Sequence, residues 1–326
     1  MAWISRRAFV AGSTLGVAAS TRARAQASYP TRPIRIIVTF SPGGPADVMA
    51  RVAGQRMSAI LGQQLFVENR GGAGGTIGAR IAAQAEPDGY TLMLGTTSTL
   101  VVAPEVYRNV GYDPLKSFAP IAALGTTSSL FVVNPQVPAR TVQELVGLAK
   151  QQAGKFSYAS PGVGSSPHLI AELFKLRTGI EALHVPYKSG GQSISAAVAG
   201  EVQMVFENPA VTLPLVRAGQ VRALATTGEK RGAETADIPT MIEAGIPDFV
   251  SLSFTGLVAP AGTPAEIVAK LNAAANESLN SPDVHAALTR LAVELRPGTP
   301  DDFAAFVARE TEKWRAVVQA AKIRIE

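Results

Sequence analysis

Cysteine is absent from this chain of 326 residues, which excludes disulfides and thiolate metal sites and does no harm in a periplasm-like compartment. Histidine is scarce, with three in all. His184 and His285 are isolated, and no H-x-x-x-H pair or acidic cluster suggests a resident metal. No G-x-x-x-x-G-K-[ST] segment occurs, so a phosphate-binding P-loop is unsupported. The glycine run Gly71 to Gly78 fails the G-x-G-x-x-G test, because Ile77 stands where the last glycine is needed. No G-x-S-x-G elbow is present for a serine nucleophile. The apolar run Ala8 to Ala19 is too short to span a bilayer, and no later segment is long and apolar enough. No cofactor is expected.

The residues from Met1 to about Ala25 read as an export signal, with a basic start, a modest apolar run and a small-residue cleavage site at Ala23-Arg24-Ala25. Arg6-Arg7 before a glycine-diluted apolar stretch has the look of a twin-arginine signal, although paired arginines also occur in general secretory signals. Removing Arg6, Arg7, Arg22 and Arg24, with no acid lost, lowers the formal charge from +5 to +1. The basic balance is therefore mostly a targeting feature, and nucleic acid is not an expected partner. About 300 mature residues suffice for one large or two ordinary domains.

Strand-like runs alternate with capped helical patterns, the signature of helices covering a largely parallel sheet, so the class is α/β. Capping signals recur at Thr141 with Glu144, Thr263 with Glu266, Ser281-Pro282 and Thr299-Pro300. The segment Leu130 to Pro135 and its echo, Gly256 to Pro260, each precede a capped helix. As strand-then-proline pairs they suit two crossings between lobes, or are coincidence in a proline-rich chain.

Two turns carry the chemistry. Ser41-Pro42-Gly43-Gly44-Pro45-Ala46-Asp47 follows the buried strand Ile34 to Phe40 and opens a helix with Pro45 at its first position. Ser160-Pro161-Gly162-Val163-Gly164-Ser165-Ser166-Pro167-His168 follows the strand Phe156 to Ser160, with Ser166 expected as N-cap. Unpaired N–H groups and the positive end of the macrodipole make each helix start a site for a carboxylate or phosphate. Asp47 fits either a cleft wall or simple helix stabilisation. Lys188-Ser189-Gly190-Gly191 is a third candidate cradle. Glu207-Asn208-Pro209 marks a cleft rim or a plain turn, and Tyr187 lines a cleft or packs.

These residues resemble the Bug receptors, the substrate-binding proteins of tripartite tricarboxylate transporters. The resemblance runs from Tyr29-Pro30 to the C-terminus through Ser41-Pro42-Gly43-Gly44-x-x-Asp47, Glu68-Asn69-Arg70-Gly71-Gly72-Ala73-Gly74-Gly75, Pro87-Asp88-Gly89-Tyr90, Tyr158-Ala159-Ser160-Pro161-Gly162, His184-Val185-Pro186-Tyr187-Lys188 and Gly262-Thr263-Pro264. It implies a two-lobed periplasmic binding protein with a mostly parallel sheet in each lobe and a hinge of two crossing strands. The implied lobes are residues 29–124 plus 252–326, and 125–251. It also implies a monomeric receptor, not an enzyme, that closes over a small organic acid and delivers it to a membrane permease. Carried onto this chain, Phe40, Ser41, Gly43, Gly44 and Asp47 form one wall, and Ser160, Gly162, Gly164, Ser165, Ser166 and His168 the other, with Tyr187 and Glu207 as further contacts. Val163, Pro167 and Glu207 depart from the family pattern. Two rival readings are an exported hydrolase using Ser165 or Ser166 with His168, and a ligand-binding partner of a sensor kinase.

Overall fold

The computed structural model describes residues 29–324; the export signal expected over Met1 to Ala25 lies outside the described residues. In chain order the elements are β1 (Ile34–Val38), α1 (Pro45–Leu61), β2 (Leu65–Asn69), α2 (Thr76–Ala83), β3 (Thr91–Thr96), α3 (Ala103–Val106), β4 (Phe118–Ser128), β5 (Leu130–Val133), α4 (Val142–Gln151), β6 (Phe156–Ser160) and α5 (Ser166–Thr178). They continue with β7 (Ala182–Pro186), α6 (Gly190–Ala199), β8 (Met204–Glu207), α7 (Pro209–Arg217), β9 (Arg222–Thr226), β10 (Leu252–Pro260), α8 (Ala265–Leu279), α9 (Pro282–Thr289), β11 (Glu294–Leu295) and α10 (Pro300–Ala320). Among the described residues no helix is long and apolar enough to cross a membrane.

The strands form two sheets, ordered β11-β4-β10-β3-β1-β2 and β7-β6-β8-β5-β9. Strand β1 is apolar at every position but Arg35 and buried on both faces, as a strand covered by helices must be. It runs parallel to β2 and β3, and β6 runs parallel to β7 and β8. Strands β4, β5 and β10 enter antiparallel to their neighbours. Both sheets are therefore mixed, where helix–strand alternation predicts largely parallel ones. Strands β4, β5 and β10 lie next to the crossings between sheets, and the short edge strand β11 also pairs antiparallel, with β4.

The chain leaves the first sheet at Ser129, between β4 and β5, and returns to it at Ser251, before β10. The echoed segments Leu130–Val133 and Gly256–Pro260 lie inside strands of different sheets, beyond these crossings. Thr227 ties the two passages together. Its hydroxyl accepts from the Ser129 amide at 2.8 Å and donates to the Ser251 carbonyl at 2.6 Å. Helix α10 is a third connection: Trp314 and Val317 share one apolar cluster with Phe174 and Phe249.

Side-chain capping fixes the starts of α4, α5, α6, α7 and α10. Thr141 and Thr299 cap α4 and α10 through their hydroxyls, and Asp302 completes a capping box at Thr299. Thr263 does not cap α8. Its hydroxyl donates to the Pro260 carbonyl at 2.8 Å, and Pro264 takes the cap position without a side-chain bond.

Candidate ligand-binding cleft

Four strand ends converge where the sheets face one another. Strands β1 and β3 end in Phe40 and Thr96-Thr97-Ser98, and β6 and β8 end in the turns that open α5 and α7. Ligands of α/β sheets bind outside such carboxyl ends. A cavity of about 270 Å³ lies there, lined by Phe40, Pro45, Ala46 and Met49, by Thr96–Ser98 and Thr127, by Ser166 and Asn208, and by Ser253–Thr255, Leu291 and Val293.

Helix starts from both sheets open onto it. In α1, Gly44 is the N-cap and Pro45 the first residue. The amides of Ala46 and Asp47 find no acceptor among the described residues. The amides of Thr97 and Ser98, where a π-helical turn begins, are likewise unpaired, as is the Ser166 amide at the first position of α5. Asn208 caps α7 by accepting the Ala210 amide at 2.8 Å, which leaves its side-chain amide free to donate. Among the described residues no Lys, Arg, His, Asp or Glu side chain lines this cavity. The site is thus a cluster of neutral donors at positive helix ends, the arrangement that holds an anion without a counter-charge.

Asp47 sits behind the first turn. It is buried, and its carboxylate accepts from the Gly43 amide at 2.9 Å, from Arg51 at 2.9 and 3.0 Å, and from the Asn69 side-chain amide at 2.9 Å. The same Asn69 nitrogen donates to the Phe40 carbonyl at 3.0 Å. Arg51, despite the cost of burying the carboxyl, leads in holding its pKa down at about 2. Asp47 therefore positions Gly43 and Phe40. Gly43 takes φ +81°, a backbone that a side chain would strain, and its amide is spent on Asp47. Ser41 is exposed and does not line the cavity.

The second turn is held from within. Ser165, not Ser166, is the N-cap of α5, because its hydroxyl accepts the His168 amide. Ser160 is fully buried and bonds His184 Nε2 at 2.7 Å and the Gly162 carbonyl at 3.0 Å. The Gly162 amide goes to Ser160 and the Gly164 amide to His168 Nδ1 at 3.0 Å. Of the expected wall, Ser166 reaches the cavity, where its hydroxyl meets that of Ser253 at 2.9 Å across the gap between the sheets. The expected pairing of Ser165 or Ser166 with His168 as nucleophile and base is not formed among the described residues. Ser165 bonds the Gly162 carbonyl, and His168 Nδ1 is occupied by a backbone amide.

Two expected contacts lie elsewhere. Tyr187 donates to Glu201 at 3.0 Å and does not line the cavity. Glu207 turns under the start of α6, accepting the Asn208 amide at 2.9 Å and packing so close to Gly190 that a Cβ there would lie 2.6 Å from its oxygen. Burial raises its pKa. The third candidate cradle is thus filled by the chain's own carboxyl. Sequence reasoning missed Thr96–Ser98, although they repeat the pattern of a strand ending in small polar residues before a helix, and from the expected rim Glu207-Asn208-Pro209 it singled out Glu207 where Asn208 lines the cavity. It also missed Leu291 and Val293, for which no local signal exists.

His168 is buried and stacks on His184 with ring centres 4.0 Å apart. Burial, and then His184, lower its pKa to about 4, so the ring is neutral at pH 7 and its Nδ1 can accept. An unfolded histidine titrates near 6.5, so the stability this neutrality supplies is complete above that value and is lost as pH falls towards 4. The loss is expected to reach on the order of 3 kcal/mol. Urea unfolding at pH 7 and pH 4.5 should show a smaller drop for His168→Gln than for the parent; equal drops would clear His168 of that role.

A second cavity, of about 420 Å³, shares Val293 with the first and is ringed by the charged or titratable side chains of Lys230, Arg231, Glu234 and His285, whereas the first is lined at the helix starts of both sheets. The smaller cavity is the candidate site. Among the described residues no cluster of His, Asp or Glu could hold a metal.

Comparison with known proteins agrees with this architecture. The family model for the tripartite tricarboxylate transporter family receptor matches residues 49–323. Protein BugT of Bordetella pertussis is 36% identical over 315 residues, covering 96% of each chain. The solved structure of Rpa4515 from R. palustris with adipate superposes with a TM-score of 0.80 at 34% identity, over 91% of this chain and 99% of that one. Periplasmic binding protein BugD superposes with a TM-score of 0.77 at 32% identity, over 91% of this chain and 100% of that one.

Proposed function

Because this chain belongs to the tripartite tricarboxylate transporter family of receptors, whose members are periplasmic solute-binding proteins and not enzymes, we propose that it captures a small organic carboxylate between its two sheets. The observation that carries this reading is the set of unpaired helix-start amides from both sheets around one uncharged cavity. A micromolar receptor needs about 8 kcal/mol. Hydrogen bonds to a charged group contribute about 1.5–3 kcal/mol each, so a few backbone donors plus exclusion of water reach that value without a buried arginine. The relative solved with adipate holds a carboxylate of this kind.

In this reading Ala46, Thr97, Ser98, Ser166 and Asn208 hold the anion. Asp47, Ser160, Gly162, Gly164, Ser165 and His168 keep the two turns in shape. The rigid bodies are residues 29–124 with 252–324 and residues 125–251, closing about the Ser129–Thr227–Ser251 knot. The mature protein starts after Ala25, leaves the cytoplasm by the twin-arginine route, works as a monomer and presents its ligand to a membrane permease. The test is a thermal-shift panel on ligand-stripped, refolded protein, pairing each acid with its uncharged amide. Binding linkage makes modest affinity visible at excess ligand. A carboxylate should raise Tm while the matching amide does not; no shift from any acid would sink the reading.

A further inference from the structure

We propose that Val293 sets the length of acid the cleft accepts, as the partition between the helix-start donors and the larger cavity beyond. The proposal rests on the carboxylate-receptor reading and adds to it a residue that determines specificity. The helix starts hold one end of an acid, and Met49, Phe254, Leu291 and Val293 supply the apolar wall along which its body lies. The two cavities, of about 270 and 420 Å³, adjoin along three stretches of chain. Thr127 lines the first and Ser128 the second, Asn208 the first and Pro209 the second, Leu291 the first and Ala292 the second. Val293 lines both. The space for further carbons therefore lies behind this side chain.

The partition is fixed in place by the turn from α9 into β11. Ala292 takes φ +57°, the left-handed backbone in which a helix commonly ends and where glycine is usual. Its amide donates to the Thr289 carbonyl at 2.8 Å, and the Val293 amide donates to the Leu288 carbonyl at 3.1 Å. This pair of bonds closes the helix end and folds the following residue back towards it. Leu291 and Val293 accordingly pack against the apolar cluster that holds Leu288. On its other side Val293 meets Gly125 of β4, where an added Cβ would strike the valine methyl and lie 2.7 Å from the Glu294 carbonyl oxygen. A side chain held so closely from both sides does not slide aside for a longer ligand, so its own methyl groups set the limit.

The test is a calorimetric titration of linear acids of about four to ten carbons, as mono- and as dicarboxylates, at one ionic strength. In the parent, affinity should rise with length and then fall where the body meets Val293. Each methylene taken out of water contributes about fourfold, so Val293→Ala, which removes two methyl groups, should move the maximum about two carbons longer and favour the longer acid by roughly tenfold relative to the parent. Val293→Ile should move the maximum the other way, so either variant alone decides, and circular dichroism checks that each folds. Leu295→Ala, at a residue that lines the larger cavity and not the smaller, should leave the maximum where the parent has it. A parent whose affinity climbs steadily to the longest acid, a maximum unmoved by the Val293 variants, or an equal move in Leu295→Ala would overturn the partition while leaving the receptor reading intact. No binding of any acid to the parent would remove the receptor reading and the partition with it.

Discussion

An Asp47→Ala variant should unfold about 3 kcal/mol more easily than the parent and bind its ligand at least tenfold more weakly, roughly the cost of breaking a buried, hydrogen-bonded ion pair. The truncation strands the Gly43 amide and the Asn69 side-chain amide, both within 2.9 Å of the lost carboxylate. It also releases Arg51, whose bidentate contact is half in solvent and so contributes the smaller share. Affinity falls because Asn69 links the same carboxylate to the Phe40 carbonyl, so the turn that lines the cleft loses its brace. The pH dependence identifies the cause. The folded pKa of about 2 lies below the ordinary 3.8, so the contribution is full above about pH 4 and disappears as pH falls through 2. Urea unfolding of parent and variant should therefore converge over that window. A constant difference down to pH 2 would assign the loss to packing instead.

That brace shows why part of the site was legible in the sequence and part was not. Strand, proline and glycine signals are local, so the start of α1 follows from Ile34 to Pro45 alone. The cap of α5 lay one residue away from the expected Ser166, because Ser165 and Ser166 are chemically identical. What decides between them is which hydroxyl meets the amide of His168, three positions on. Asp47 and Glu207 were both acids beside a turn. Whether such an acid faces ligand or braces the fold depends on partners distant in sequence, Asn69 for one and Gly190 for the other. Leu291 and Val293 reach the cleft only because β11 pairs with β4, a topological fact without local signature. The mixed sheets have the same origin. Periodicity identifies strands but not the direction in which a strand next to a crossing enters its sheet.

Ser166→Pro is expected to leave stability within about 1 kcal/mol of the parent while weakening carboxylate binding by roughly 10- to 100-fold, the loss of one hydrogen bond to a charged group. Proline suits this position. Ser166 is the first residue of α5, where an N–H has no intrahelical partner, and Ser165 before it is extended, with φ −70° and ψ 156°, as a residue preceding proline prefers. The substitution thus deletes one backbone donor and keeps the helix. Ser166→Ala separates the two groups of this residue: it loses the hydroxyl bond to Ser253 but retains the amide. Calorimetric titration of both variants with the same acid should show the alanine near the parent and the proline well below it. Equal weakening would shift the role to the hydroxyl bridge between the sheets. No weakening in either would mean that the anion is held by the first-sheet amides of Ala46, Thr97 and Ser98, and that the second sheet contributes closure alone.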